Sequence, residues 1–267
     1  MTQERLHAFY EPNLRLARMH GLLGYNAGYA ENRDAGSFDQ HQKDLVWRLL
    51  GNAPITPEST VLDVGCGIGG PSGWIFERYR PARQIGLEFC PSSVRVAQER
   101  WSDTPSRPIF VQGDAHHLPL PEASVDVIFN LESALHYADK NKFIAECHRV
   151  LRPGGVLCLG DICTKWRRLF GFFELLDKVA GQFSTHAHLW SPREYLSAFE
   201  SHGFTVNRHE DVTQGASNSL HSGLTTMEKM GWKAAEGFRG RFFYLRFVEW
   251  LLRCRLMSYD LFYATRK

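Results

Sequence analysis

Three acidic residues stand where they could bind a nucleoside-like cofactor. Asp63 stands near the end of the run Val61-Leu62-Asp63-Val64, two residues before the first glycine of Gly65-Cys66-Gly67-Ile68-Gly69-Gly70. Glycine suits a turn that must bend tightly and let a ligand approach the backbone without a Cβ in the way. The GxGxxG pattern alone would fit any strand–turn–helix nucleotide binder, including a dinucleotide site. Asp63 argues against a pyrophosphate, which it would repel, and suits a group carrying a positively charged ammonium. Glu88 ends the next apolar run, 23 residues after Gly65, and a carboxylate there can accept both ribose hydroxyls. Asp114, in Gly113-Asp114-Ala115, follows a third run, where an acid can accept from an adenine amino group.

These acids need successive parallel strands to bring them to one edge. The sequence predicts strands over Thr60–Val64, Gln84–Phe89, Pro108–Gln112, Val125–Asn130 and Val156–Gly160. Helices are predicted between them over Pro71–Tyr79, Pro91–Trp101 and Lys140–Val150, the last closed by Arg152-Pro153-Gly154-Gly155. Such alternation implies a doubly wound α/β sheet. Ahead of it, Glu11–Leu23 and Phe38–Leu50 read as helices around the Gly-rich loop Gly24-Tyr25-Asn26-Ala27-Gly28-Tyr29. After Asp161 the alternation breaks. Lys165–Gly181 reads as helical and aromatic, and Ser184–Trp190 as a His-rich loop. Ser191 caps a helix to Glu200, with Glu194 in the capping-box position. Gly203–His209 is strand-like, Thr213–Gly231 is ambiguous, Phe238–Leu256 is a helix and Tyr259–Thr265 a last strand.

VLDVGCGIGG, GLEFCPSSVRVAQ, VQGDAHHLPLPEASVDVIFNLES and RVLRPGGVLCLGD, covering residues 61–161, resemble the successive motifs of class I S-adenosylmethionine-dependent methyltransferases. The resemblance is nearest to the small-molecule O-methyltransferases of natural-product tailoring, including the phthiotriol type. It implies a Rossmann-like seven-stranded sheet with an antiparallel last strand, N-terminal helices and a helical cap. It divides the chain into an N-terminal helical lid (1–57), a cofactor-binding core (58–164), a substrate cap with interleaved core elements (165–235), and a C-terminal helix with the last strand (236–267).

By the same resemblance, S-adenosyl-L-methionine is the cofactor. Asp63, Gly65, Gly67 and Gly69 hold its methionine end; Glu88 holds the ribose, with Phe89 against the adenine face; Asp114 and Ala115 read the adenine edge. Asn130 and Leu131 form the floor under the sulfonium, chiefly through backbone carbonyls, and Tyr29 closes over the cofactor near the methyl group. His136, past the floor in Glu132-Ser133-Ala134-Leu135-His136-Tyr137, is the candidate general base, with His186 and His188 as alternatives. Histidine titrates near neutrality and can take a hydroxyl proton during transfer.

The aromatic content of the presumed cap (Trp166, Leu169, Phe170, Phe172, Phe173, Trp190) favours a largely apolar small-molecule acceptor. The expected reaction is methyl transfer to a hydroxyl of a polyketide, peptide or lipid; N-methylation of a small amine, or a non-methylating reaction such as a cyclisation, stays open. A net charge of +2 gives no bulk signature of nucleic-acid binding. Arg239, Arg241, Arg246, Arg253 and Arg255 read as a solvated helix face. Six cysteines without CxxC pairs or zinc-like spacing point to free thiols in a reducing compartment, with no metal. No signal peptide or membrane span is legible, so a cytoplasmic location is expected; the oligomeric state is not legible.

Overall fold

The computed structural model describes residues 14, 24–33, 36–104, 106–165, 188–231 and 239–267. Helix α1 (Phe38–Leu50) leads into β1 (Thr60–Val64), α2 (Gly70–Tyr79), β2 (Arg83–Glu88), α3 (Pro91–Arg100), β3 (Ile109–Gln112) and β4 (Val125–Leu131). A 3₁₀ turn (Ala134–His136) precedes α4 (Lys140–Val150) and β5 (Leu151–Thr164). The chain ends with α5 (Pro192–Ser201), β6 (Phe204–Asp211), α6 (Thr213–Lys229), α7 (Arg239–Arg253) and β7 (Met257–Arg266). The strands form one seven-stranded sheet in the order β3-β2-β1-β4-β5-β7-β6. β7 runs antiparallel between β5 and β6, and β1 to β5 are parallel.

The order reverses between β1 and β4, and a ligand crevice forms outside the strand C-termini at such a switch point. All five residues of β1 are buried, as a central strand covered on both faces requires. One core layer lies between the sheet and α4 and α5, around Leu62, Phe143, Tyr195, Phe199 and Phe262. The other face packs α1, α2, α6 and α7 around Leu45, Trp74, Phe129, Leu220, Leu252 and Leu261.

The expected seven strands and antiparallel last strand are both present. Ser191 accepts from Glu194 N–H while Glu194 reaches back to Ser191 N–H, a complete capping box. β5 differs from its expectation. Arg152-Pro153-Gly154-Gly155 is not a turn outside the sheet but an irregularity within β5, whose Leu151 already pairs with Val125 before the register shifts at Val127. Gly154, at φ 79°, takes the left-handed conformation there. The ambiguous stretch after Val212 forms α6. Its Gly215 and Gly223 cost helix propensity, but a side chain at either would collide with Tyr29 or Phe38, so tertiary packing decides. Apart from Leu14, the expected helix Glu11–Leu23 lies outside the described residues, as do residues 166–187 and 232–235 of the expected cap, with the apolar residues from Trp166 to Phe173 and His186 among them.

All six cysteines are free and all but Cys254 are buried. Among the described residues no helix is long and apolar enough to cross a membrane. The late arginines with described side chains are exposed or paired on the surface: Arg246 with Glu228, and Arg255 with Asp211.

Candidate active site

The glycine turn sits at the C-terminal end of β1, where Gly65, Gly67 and Gly69 have φ of 78°, 56° and 79°. Each glycine answers a different steric demand. A Cβ on Gly65 would lie 2.4 Å from Ser133, and one on Gly69 would lie 2.8 Å from Phe110. Around Gly67 there is room, with the Tyr25 ring 3.6 Å from a would-be Cβ. The turn is held to β2 by Gly65 N–H and Cys66 N–H, which donate to Leu87 O at 2.7 and 3.1 Å.

Asp63 is buried, and its Oδ2 accepts from Ser72 Oγ at 2.6 Å. Burial pushes its pKa up to about 7, the Ser72 hydrogen bond opposing and the nearby Glu88 charge adding to the rise. A buried carboxylate with no cation beside it is costly, and an ammonium group would remove that cost. Glu88 accepts from Gly67 N–H at 3.0 Å and Cys90 N–H at 2.8 Å. Burial raises its pKa against those hydrogen bonds. Phe89 beside it is half-buried.

After β3, Asp114 Oδ1 accepts from both the backbone N–H and the imidazole Nδ1 of His116, at 2.9 and 2.7 Å. Burial raises the Asp114 pKa, but the His116 bonds and the neighbouring His116 and His117 charges outweigh it, leaving the pKa below its usual value. A carboxylate held ionised suits acceptance from an exocyclic amine. Ala115 is buried next to it. Asp63, Glu88 and Asp114 thus stand at or just past the ends of adjacent strands, and the residues fit a cofactor with an ammonium, a ribose and an adenine.

The floor at the end of β4 is built by side chains as well as backbone. Asn130 Nδ2 donates to Val64 O at 2.8 Å and to Ser133 Oγ at 2.6 Å, with Tyr137 OH at 3.1 Å. Ser133 Oγ also donates to Val64 O at 3.0 Å. Asn130 and Ser133 therefore tie the end of β1 to the segment after β4, and Gly65 leaves space for that junction. Leu131 is buried beside them. Sequence reasoning took Asn130 for its carbonyl and passed over Ser133 and Tyr137; a Ser four residues before a Tyr after a strand was the available signal.

His136 occupies the 3₁₀ turn, and its N–H donates to Ser133 O at 3.0 Å. The turn is fixed from the far side, where His188 N–H donates to Leu135 O at 2.8 Å and Lys140 Nζ donates to His188 O. Burial, then the positive charges of Lys140 and His188, push the His136 pKa down to about 4. The imidazole is therefore neutral at neutral pH, with a lone pair available but weakly basic. Lys140 is itself buried, which lowers its pKa to about 8, with Asp161, Cys163 and Glu194 opposing. Asp161, buried on β5, has a pKa raised by burial to about 6 while Tyr195 OH donates to it at 2.6 Å.

Glu132 was quoted in the motif but given no role by sequence reasoning. Its Oε1 accepts from Ala27 N–H at 2.6 Å and Tyr259 OH at 2.7 Å, and burial raises its pKa to about 7. Tyr29 packs with its ring beneath Arg48, 4.2 Å from its guanidinium carbon, and against Gly215 of α6. Within the same loop it is Tyr25 that lies beside Gly67. The resemblance selected Tyr29 and gave Tyr25 no role. Among the described residues no three His, Cys, Asp or Glu side chains are grouped to hold a metal.

Residues 62–159 match the family of methyltransferase domains. The chain is 38% identical over 139 residues to the erythromycin 3''-O-methyltransferase of Saccharopolyspora erythraea, a stretch of 51% of this chain and 45% of that protein. It is 38% identical over 102 residues to the phthiotriol/phenolphthiotriol dimycocerosates methyltransferase of Mycobacterium leprae, 38% of this chain and 37% of that protein. The matches span between 37% and 60% of the length of these and the other curated relatives, about half in most cases. Among solved structures, the [4+2]-cyclase SpnF superposes with a TM-score of 0.77 at 19% identity, over 98% of this chain and 94% of that one. At that identity the likeness concerns the fold.

Proposed function

We propose that this chain, which carries a methyltransferase domain over residues 62–159, transfers the methyl group of S-adenosylmethionine to a hydroxyl of a small, largely apolar natural product. The observation that carries the reading is the set of three acids beyond one glycine turn. Asp63 would take the cofactor's ammonium, Glu88 the ribose and Asp114 the adenine amine, with Phe89 and Ala115 enclosing the base. Hydroxyl transfer is supported by the named activity of the Saccharopolyspora erythraea relative, a 3''-O-methyltransferase, and an apolar acceptor by the phthiotriol-type relative.

The cofactor supplies a methyl on a sulfonium, whose leaving thioether needs no proton. The protein's work is alignment, exclusion of water and acceptance of the hydroxyl proton. Asn130, Leu131 and Ser133 form a rigid floor, so the acceptor can be aligned from the side of the 3₁₀ turn. His136 takes the proton. A hydroxyl turns strongly acidic as its oxygen gains a methyl, so a weak neutral imidazole suffices when proton transfer accompanies bond formation.

Incubation with S-adenosylmethionine and a panel of hydroxylated apolar acceptors tests the reading. It expects S-adenosylhomocysteine and methylated product in equal amounts. Conversion of an acceptor without S-adenosylhomocysteine would replace it by a cyclase-type reaction, and methyl on nitrogen by an N-methyltransferase.

A further inference from the structure

The loop of residues 24–30 covers the outer side of the glycine turn. A Cβ on Gly24 would lie 3.5 Å from Trp74 and 3.7 Å from Pro71 at the start of α2, and Tyr25 lies against Gly67. Most of what holds this loop comes from α1 and α6. Gln42 Nε2 donates to Gly24 O at 3.1 Å and Asn26 O at 2.8 Å, and Ser219 Oγ donates to Ala27 O at 2.7 Å. One bond comes from the catalytic side of the sheet instead: Ala27 N–H donates to Glu132 Oε1 at 2.6 Å.

Glu132 is unusual on three counts. Its backbone is left-handed, with φ 51°, a conformation a side-chain-bearing residue adopts only under constraint. The same Oε1 accepts from Tyr259 OH on β7 at 2.7 Å, which fixes the carboxylate from behind. Its own N–H donates to Gly160 O on β5 at 2.8 Å, so the strained residue is anchored to the sheet at both ends.

We propose that Glu132 is a positioning residue, a latch that holds the 24–30 loop down on the glycine turn and so retains the cofactor. This rests on the cofactor assignment above. The left-handed turn at Glu132 aims the carboxylate from the end of β4 across to the loop rather than along the strand. The latch thereby couples the loop over the cofactor to the floor beneath it, since Glu132 is followed directly by Ser133. Above about pH 7, where Glu132 is ionised, these hydrogen bonds are charge-assisted and exceed neutral ones in strength.

Dissociation of S-adenosylhomocysteine, followed by stopped-flow tryptophan fluorescence, tests the latch together with amide hydrogen exchange over residues 24–30. At pH 8, where Glu132 is ionised, Glu132→Ala is expected to speed dissociation about tenfold or more, the loss of hydrogen bonds to a charged group, and to speed exchange over the loop. Glu132→Gln keeps an oxygen facing both donors and is expected to restore most of the retention. If the alanine variant does not fold, Glu132→Asp replaces it, because aspartate tolerates the left-handed backbone yet falls one methylene short of Ala27. A folded Glu132→Ala or Glu132→Asp with wild-type dissociation overturns the latch, as does faster dissociation with unchanged loop exchange. If the wild type fails to bind S-adenosylhomocysteine, the cofactor assignment falls. The latch is then judged on ligand-free loop exchange alone, where an unchanged rate in the variant refutes it.

Discussion

If Asp63 takes the cofactor's ammonium, as proposed, its protonation sets how cofactor affinity varies with pH. In the ligand-free protein, burial raises its pKa to about 7. The neutral form below that pH cannot pair with an ammonium, so proton and cofactor compete. Affinity is therefore lost as pH falls through about 7. At pH 5 only about one molecule in a hundred carries the carboxylate, so the dissociation constant for S-adenosylhomocysteine rises about a hundredfold from pH 8 to pH 5. Asp63→Asn keeps the shape and the acceptor for Ser72 but removes the charge. At pH 8 it loses roughly 1.5–3 kcal/mol, about tenfold to a hundredfold in affinity, and most of the pH slope disappears with it. Titration calorimetry across pH 5–8 on both proteins measures this. A flat wild-type profile, or a variant keeping both wild-type affinity and wild-type slope, refutes the assignment of the ammonium to Asp63.

His136→Ala lowers kcat roughly 10²–10⁴-fold with cofactor affinity unchanged, and the wild-type profile of kcat/KM for the acceptor shows its His136 inflection near pH 4 rather than near the ordinary histidine value; a variant retaining most of its kcat moves the base elsewhere. Gly65→Ala, whose Cβ would lie 2.4 Å from Ser133 at a left-handed φ of 78°, lowers the thermal midpoint by several degrees, and Ser133→Gly in the same chain recovers part of the loss; a single variant as stable as wild type contradicts the packing described. Asp63, Glu132 and Asp161 hold protons up to about pH 7, 7 and 6 in the folded state, well above unfolded carboxylates near 4. Their contribution to stability is thus present at low pH and lost as pH rises through 6–7, and calorimetric melting of the ligand-free protein shows the midpoint falling from pH 5.5 to pH 8 less steeply in Asp63→Asn; a slope unchanged in that variant contradicts the burial of Asp63.

The central sheet was legible because strand and helix periods differ and because punctuation fell where the chain turns. Thr60–Val64 and Lys140–Val150 match their expected bounds, and the three acids mark the strand ends. β5 was not legible over its full length, since Pro153 and two glycines carry a turn's signature yet lie in a bulge that Leu151 has already paired. α6 was obscured by glycines whose purpose is the approach of Tyr29 and Phe38, a tertiary fact. In the proposed site, charge and spacing singled out Asp63, Glu88 and Asp114, which the fold brings to neighbouring strand ends. Glu132 escaped because its partners, Ala27 and Tyr259, are 105 and 127 residues away in sequence. His136 could be placed by its distance past the floor, but its weak basicity comes from burial and from Lys140 and His188, which no local pattern reveals.

Methyl transfer to a hydroxyl is tested most directly by following a ¹³C-labelled methyl from S-adenosylmethionine into the product of a hydroxylated apolar acceptor. The account predicts one S-adenosylhomocysteine per product molecule and a single ¹³C resonance of a methyl bonded to oxygen, both greatly reduced in Glu88→Ala. Label on carbon or nitrogen, or an altered acceptor carrying no label, would contradict it.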